Sequence, residues 1–389
     1  MLSFDNTEIA FKSKNDKDLK RAYYLFKMVS SPGLVKFGKK ATHFSLAIGL
    51  PIKGLIKATI FKQFCGGETI DECDKTIALL DKYGIGTILD YSAEGKESET
   101  DFDKTTNEII ATITKANGNK AIPFSVFKVT GISSFSLLER ASGKEKLRSA
   151  DKEKLNSVKE RVNSICKAAF EADTPVFIDA EESWIQPAID QIATEMMEQY
   201  NISKAIVYNT IQLYRHDRLA HIKSSIEESK TKGYCYGVKL VRGAYMEKER
   251  ERAKEKGYPS PIQPDKNASD RDYDLALDTC LENISHVSIC AGTHNEKSSM
   301  YLTELMKKYK LEKHDKRIYF AQLLGMSDHI SYNLSEAGYN VAKYVPYGPI
   351  KEVLPYLIRR AEENTSVAGQ TSRELGLILK ERLRRKKTR

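Results

Sequence analysis

From residue 84 onward, short apolar runs rich in β-branched and aromatic side chains alternate with longer stretches of helical spacing. The runs are residues 86–92, 122–130, 175–181, 204–212, 236–244, 286–292, 317–323 and 339–348. Each is almost continuously apolar instead of alternating, as expected for strands buried on both faces of a parallel sheet. The connections are too long for hairpins and long enough for crossover helices. Eight strands, seven crossovers and a final helix predict a (β/α)8 barrel of the TIM type, with an open doubly wound sheet as the alternative.

Polar residues gather at the C-terminal end of every run. They are Asp90, Lys128, Asp179 with Glu181, Gln212, Lys239 with Arg242, Thr293 with His294 and Asn295, Gln322, and Tyr344. In such a barrel these ends open on one mouth, where active sites form.

Residues 1–75 read as a separate helical arm, 76–375 as the barrel and 376–389 as a basic tail. Within the arm, 18–28 has helical spacing and Ser30-Ser31-Pro32-Gly33 breaks it. The amphipathic stretch 44–64 suits either packing on the main domain or lying in a membrane interface.

Charge adds one feature. Residues 380–389 hold seven basic side chains and one acid, so +6 of the total +9 sits in the last ten residues. This reads either as a solvated helix end or as attraction to anionic lipid headgroups. No aromatics interleave with these charges, so no nucleic-acid partner is expected. No apolar run reaches bilayer length and no secretory signal is visible. A cytoplasmic protein is expected, free or peripheral at the cytoplasmic face of a membrane. The six cysteines are scattered without CxxC pairing, which predicts free thiols and no metal site.

Three segments offer chemistry. Lys239 and Arg242 flank the end of the fifth run and precede Gly243, a combination suited to a pyrophosphate or another anion. Tyr356, Arg359, Arg360 and Glu363 share one helical face, while Leu354, Leu357, Ile358 and Ala361 can pack. Two adjacent arginines can grip a carboxylate, or can simply face solvent. Pro355 predicts that this helix starts there. Asp179, Glu181 and Glu182 suit acid–base work or metal ligation. A buried Lys128–Asp179 pair is the favoured arrangement, with Lys128 as a Schiff-base lysine the rival reading. No Rossmann fingerprint, P-loop, G-x-S-x-G or HExxH occurs.

The motifs DYSAEGK, FIDAEES, NTIQLYRHD, KLVRGAYMEKER, GTHN, FAQLLGMSD, YVPYGP and YLIRRAEEN follow in order between about residues 85 and 370. On them the chain resembles the proline dehydrogenase family, especially its mitochondrial-type members. A weaker echo lies at residues 63–69. The resemblance implies a distorted (β/α)8 barrel that binds FAD at its C-terminal mouth, with the last helix over it as a lid. It implies oxidation of L-proline to Δ1-pyrroline-5-carboxylate by hydride transfer to flavin N5, with electrons passed to a quinone or another acceptor. A eukaryotic member would sit on the mitochondrial matrix side. The chain ends after the barrel, so a monofunctional enzyme is expected.

Residue roles follow from the same resemblance. Arg359 and Arg360 would hold the proline carboxylate. Lys128, Asp179, Tyr344 and Tyr356 would line the pocket, with Leu323 packing on the ring. Glu94 would pair with Arg359, Glu363 would support the arginines and Tyr245 would sit near the closing helix. Gln212, Lys239, Val241, Arg242, Gly243, Thr293, His294, Asn295 and Gln322 would contact FAD. Many bacterial members carry Arg where this chain has Lys239. Branches that use hydroxyproline carry a smaller residue at Tyr344, so its presence favours proline. The competing classes are a Schiff-base lyase using Lys128 or Lys239, and an inert barrel that only binds a membrane or nucleic acid.

Overall fold

The computed structural model describes residues 2–31, 33, 53–92, 97–143, 145–366 and 370–387. Eight strands follow in chain order: β1 (Ile85–Tyr91), β2 (Phe124–Lys128), β3 (Val176–Asp179), β4 (Val207–Gln212), β5 (Tyr236–Val241), β6 (Val287–Gly292), β7 (Ile318–Leu323) and β8 (Val341–Tyr347). They close into a barrel in that order. The ladders are parallel, as at β1–β8 and β4–β5. Each expected run contains one strand, and the doubly wound alternative is excluded.

The chain divides into two compact units, one made of Met1–Gly95 and Gln322–Arg389, the other of Lys96–Ala321. In the second unit, the period of two along each strand sorts the inner face from the outer. Phe124 and Phe177 stack at 4.4 Å between centroids, and Phe124 meets Tyr319 edge-on at 4.7 Å. Tyr208 packs edge-on against Phe177 at 5.4 Å. These rings fill the barrel floor. The register carries the same face upward through Lys128, Asp179, Thr210, Lys239 and Cys290. Polar chemistry therefore begins directly above an aromatic floor.

In the first unit, helix Asp16–Val29 starts at Asn15, whose side chain accepts from the Asp18 amide at 2.9 Å. Asp16 and Asp18 lie in the first turn, where the helix dipole favours them. Its apolar stripe of Leu19, Ala22, Leu25, Phe26 and Val29 joins a core with Phe61, Phe64, Leu357 and Ile378. In the helical stretch from Lys53 to Phe64, Ile56, Phe61 and Phe64 pack into this core, while Lys57, Ala58 and Thr59 are exposed.

Two expectations change here. The helix after β8 runs Ile350–Ser366 with Pro355 inside it, so it begins five residues before the proline. Pro355 and Lys351 both lie on the exposed side, where water can serve the carbonyl that proline leaves without a donor. The segment read as a basic tail belongs to helix Gln370–Lys387. Leu377 and Ile378 are buried, and Arg385 donates to the carbonyls of Phe11 at 3.0 Å and Lys14 at 2.8 Å. Glu381, fully buried, receives Arg384 and Arg385. Much of the terminal charge is therefore spent inside the unit.

Candidate active site

The inner face of β3–β5 presents an ion pair. Lys239 Nζ donates to Asp179 Oδ1, and the ammonium lies 5.2 Å from the centroid of Phe177 below it. Lys239 is 4 % exposed. The described partner of Asp179 is thus Lys239, not the expected Lys128. Register explains the reach. Lys128 is directly beside Asp179 and Lys239 is beside Thr210, whose short side chain leaves room for a lysine to cross the intervening strand. Lys128 instead contributes to the electrostatics of Glu181. Burial pushes the Glu181 carboxyl up to about 7, even though it accepts from the Thr130 amide at 3.0 Å and from the Thr130 hydroxyl.

One step higher on the same face stand Gln212 and Val241, which are register partners. Gln212 is buried, and its side-chain carbonyl oxygen has no hydrogen-bond partner among the described residues. A buried acceptor left unmatched costs about 1–3 kcal/mol, so this oxygen is open to a donor from a water or a ligand.

Beyond Val241 the strand ends and the next polar side chain turns outward. Arg242 donates to Asp270 at 2.6 Å, Thr293 at 2.8 Å and Ser298 at 2.9 Å, and stacks 4.2 Å from the Tyr273 centroid. Lys239 and Arg242 thus take opposite sides of β5, as their spacing requires. Asn295 caps helix Glu296–Lys308 by accepting from the amides of Lys297 and Ser298. Thr293 also accepts from the Asn295 amide at 3.1 Å. An arginine fixed beside a helix start suits a phosphate group. Gly243 has φ +128°, and a Cβ there would lie 2.3 Å from the Tyr214 ring. Only glycine fits that turn. Tyr245 is half-buried at the cap of helix Met246–Lys256.

The first unit holds the other expected residues. Asp90 is buried and accepts from Ser92 at 2.9 Å. Gln322 accepts from the Ser331 hydroxyl at 2.8 Å. Tyr344 is buried, and its backbone carbonyl accepts from the Leu324 amide at 2.8 Å. On helix Ile350–Ser366, Tyr356 is 4 % exposed and the Arg360 guanidinium lies 5.2 Å from its ring centroid. Arg359 and Arg360 are half-buried, not fully solvated. Glu94 lies outside the described residues, and so does the side chain of Glu363. Leu323 is half-buried at the end of β7.

The sequence reading missed a buried charge cluster in this unit. Lys343 pairs with Asp328 at 2.8 Å, and the other Asp328 oxygen pairs with Lys14 at 2.8 Å. Burial opposes ionisation of Asp328, yet the two ammonium groups prevail and hold its carboxyl well below the usual range. A lysine in the middle of an apolar run was the available signal. No group of three or more potential metal ligands occurs among the described residues.

The family model described as proline dehydrogenase matches residues 73–373. The mitochondrial proline dehydrogenase 1 of Drosophila melanogaster is 41% identical over 245 residues, 60% of this chain and 36% of that protein. A hydroxyproline dehydrogenase of Xenopus laevis is 32% identical over 99% of this chain and 90% of its own length. Among solved structures, proline utilization A (PutA) from Bdellovibrio bacteriovorus superposes with a TM-score of 0.73 at 24% identity, over 92% of this chain and 38% of that one. The match therefore spans little more than a third of the fly protein and of that PutA chain. With a barrel of this topology and a family match over most of its length, the chain belongs to the proline dehydrogenase family.

Proposed function

We propose that this protein oxidises L-proline to Δ1-pyrroline-5-carboxylate with FAD as its cofactor, passing the electrons to a quinone. The reaction would be the first step of proline catabolism. Family membership supports the substrate class. One observation carries the flavin reading: a Lys239–Asp179 pair on an aromatic floor, with the unmatched Gln212 carbonyl above it. The flat ring system of a flavin offers a ring N–H to such an acceptor. Arg242 beside the start of helix Glu296–Lys308 suits the pyrophosphate, and Gly243 lets the backbone come close. Val241, Thr293, His294, Asn295 and Gln322 complete the proposed flavin set.

FAD, when bound, supplies a hydride acceptor at N5 for the ring carbon beside the proline nitrogen. The chain's own part is placement. Arg359 and Arg360 would fix the carboxylate by paired N–H donors, aided by Glu363 and Glu94. Tyr344, Tyr356 and Leu323 would pack the ring, with Lys128, Asp179 and Tyr245 around it. Orientation of this kind can supply up to about 7–11 kcal/mol of a barrier. Lys239, held by Asp179, keeps positive charge where negative charge develops.

The test is an absorbance spectrum before and after adding L-proline without oxygen. A yellow protein whose flavin band bleaches supports the reading. A colourless protein trapped by borohydride would replace it with the Schiff-base class. Bleaching by hydroxyproline alone would redirect it to the substrate named for the Xenopus relative. Arg359→Met and Arg360→Met should each cost about 2 kcal/mol of proline binding, roughly 30-fold in KM.

We also propose contact with an anionic membrane. No helix among the described residues is long and apolar enough to cross one. The exposed positions of Asp16–Val29 from 17 onward are Lys17, Lys20, Tyr24, Lys27 and Met28. Those of the last turns of Gln370–Lys387 are Leu379, Lys380, Leu383, Lys386 and Lys387. Basic residues with bulky apolar neighbours suit a lipid interface. Replacing Lys27, Lys386 and Lys387 by glutamine should weaken binding to anionic vesicles by about 1 kcal/mol each. Unchanged binding would end this part.

A further inference from the structure

The turn leaving β7 has an unusual backbone. Gly325 has φ +75° and Ser327, although not a glycine, has φ +50°. Such a conformation costs about 1–3 kcal/mol at a non-glycine residue and persists only where the surroundings impose it. Three side chains do so here. Gln63 donates to the Gly325 carbonyl at 3.0 Å, and its own backbone comes so close that a Cβ on Gly325 would lie 2.1 Å from the Gln63 carbonyl oxygen. The Glu374 carboxylate accepts from the Ser327 amide. Lys343, 1 % exposed on β8, donates to the carbonyls of Leu323 at 3.3 Å and Met326 at 2.8 Å.

The third acceptor of Lys343 is Asp328 at 2.8 Å. An ammonium carries three N–H donors, and here all three are matched. Burying it is costly, and a methionine would fill similar space without that cost. What methionine lacks is directed bonds to two carbonyls on either side of the turn. The next residue on β8, Tyr344, accepts from the Leu324 amide at 2.8 Å, so the two segments are laced together at adjacent positions.

We propose that Lys343 is a positioning residue for the substrate pocket. By holding the turn 323–327 it sets the placement of Leu323 and Tyr344, the side chains assigned to the proline ring. The assignment of those two rests on the functional reading above. Lys343 itself faces the outer helix, because side chains alternate along a strand, and touches no substrate.

The experiment compares Lys343→Met with Lys14→Met in the full-length flavoprotein. Both remove one cation from Asp328, but only the first frees the turn. Lys343→Met should raise KM for L-proline about tenfold with kcat changed much less, and should narrow the preference for proline over hydroxyproline. Amide exchange across 323–327 should quicken. Lys14→Met should lower the melting temperature while leaving KM and that exchange at wild-type values. A Lys343→Met enzyme with unchanged KM or unchanged exchange overturns the proposal, as does a Lys14→Met enzyme that shifts KM equally. Should Lys343→Met not fold, Gln63→Leu removes another bond to the same turn and should raise KM about threefold, and no rise overturns the proposal. If proline does not bleach the wild type, the functional reading fails, and the exchange data alone decide whether Lys343 holds the turn.

Discussion

Lys239 and Lys343 are both lysines sunk into barrel strands, and they are used in opposite ways. Lys239 reaches across one strand to a carboxylate on the inner face, above an aromatic ring. Its partner Asp179 keeps 15% of its side chain exposed. Lys343 sits on the outer side, 1 % exposed, with each of its protons given to a protein oxygen. The first pair keeps one partner partly open. The second is closed. A buried lysine is therefore not by itself a sign of chemistry; the accessibility of its partner, and the face of the strand, decide which kind it is.

Breaking the inner pair should have the largest effect. Lys239→Met leaves the Asp179 carboxylate without its described partner, and loss of one partner from a buried pair costs about 3–5 kcal/mol. We expect a drop of more than 100-fold in kcat/KM for proline, together with a lower midpoint in urea, because the variant loses both stability and the charge beside the proposed flavin position. A variant that keeps wild-type turnover would show that the two lysines are both architectural.

The outer cluster should answer chiefly in stability. Asp328→Asn leaves Lys14 and Lys343 facing each other without their shared anion and should cost about 3 kcal/mol at pH 7, read by urea unfolding. The pH dependence has a definite sign. The folded pKa of Asp328 is depressed, so its contribution is complete above the unfolded value near 4 and is lost as the pH falls through the folded value. Acid unfolding of the asparagine variant should therefore be shallower below about pH 4 than that of the wild type.

The smallest effect is expected at Glu181, which sits on neither lysine. Its pKa is raised by burial to about 7, so the wild type should lose stability as the pH rises from about 4.5 to 7 and then level off. Glu181→Gln should flatten that interval in a series of urea melts. A slope retained in the variant would place the titration elsewhere.

The barrel was legible in the sequence because strands buried on both faces leave unbroken apolar runs, and each run contains a strand. The strand-end residues were legible for the same reason. The pairing among them was not. Asp179 sits level with Lys128, and only the register and the small Thr210 between strands show why Lys239 is its partner. The outer cluster was harder still, since Lys14, Asp328 and Lys343 come from three distant parts of the chain. The basic end held a clue that went unused. Its single acid, Glu381, stands three and four residues before Arg384 and Arg385, the spacing of a helical ion pair.

That last helix has a consequence for how the protein is made. Phe11, Leu19 and Phe26 bury themselves partly against Leu377 and Ile378, near opposite ends of the chain. At synthesis rates of about 5–20 residues per second, the first of these side chains must wait roughly 20–70 s for their partners to leave the ribosome. During that interval the apolar stripe of the early helix lacks the cover that Leu377 and Ile378 supply in the folded chain.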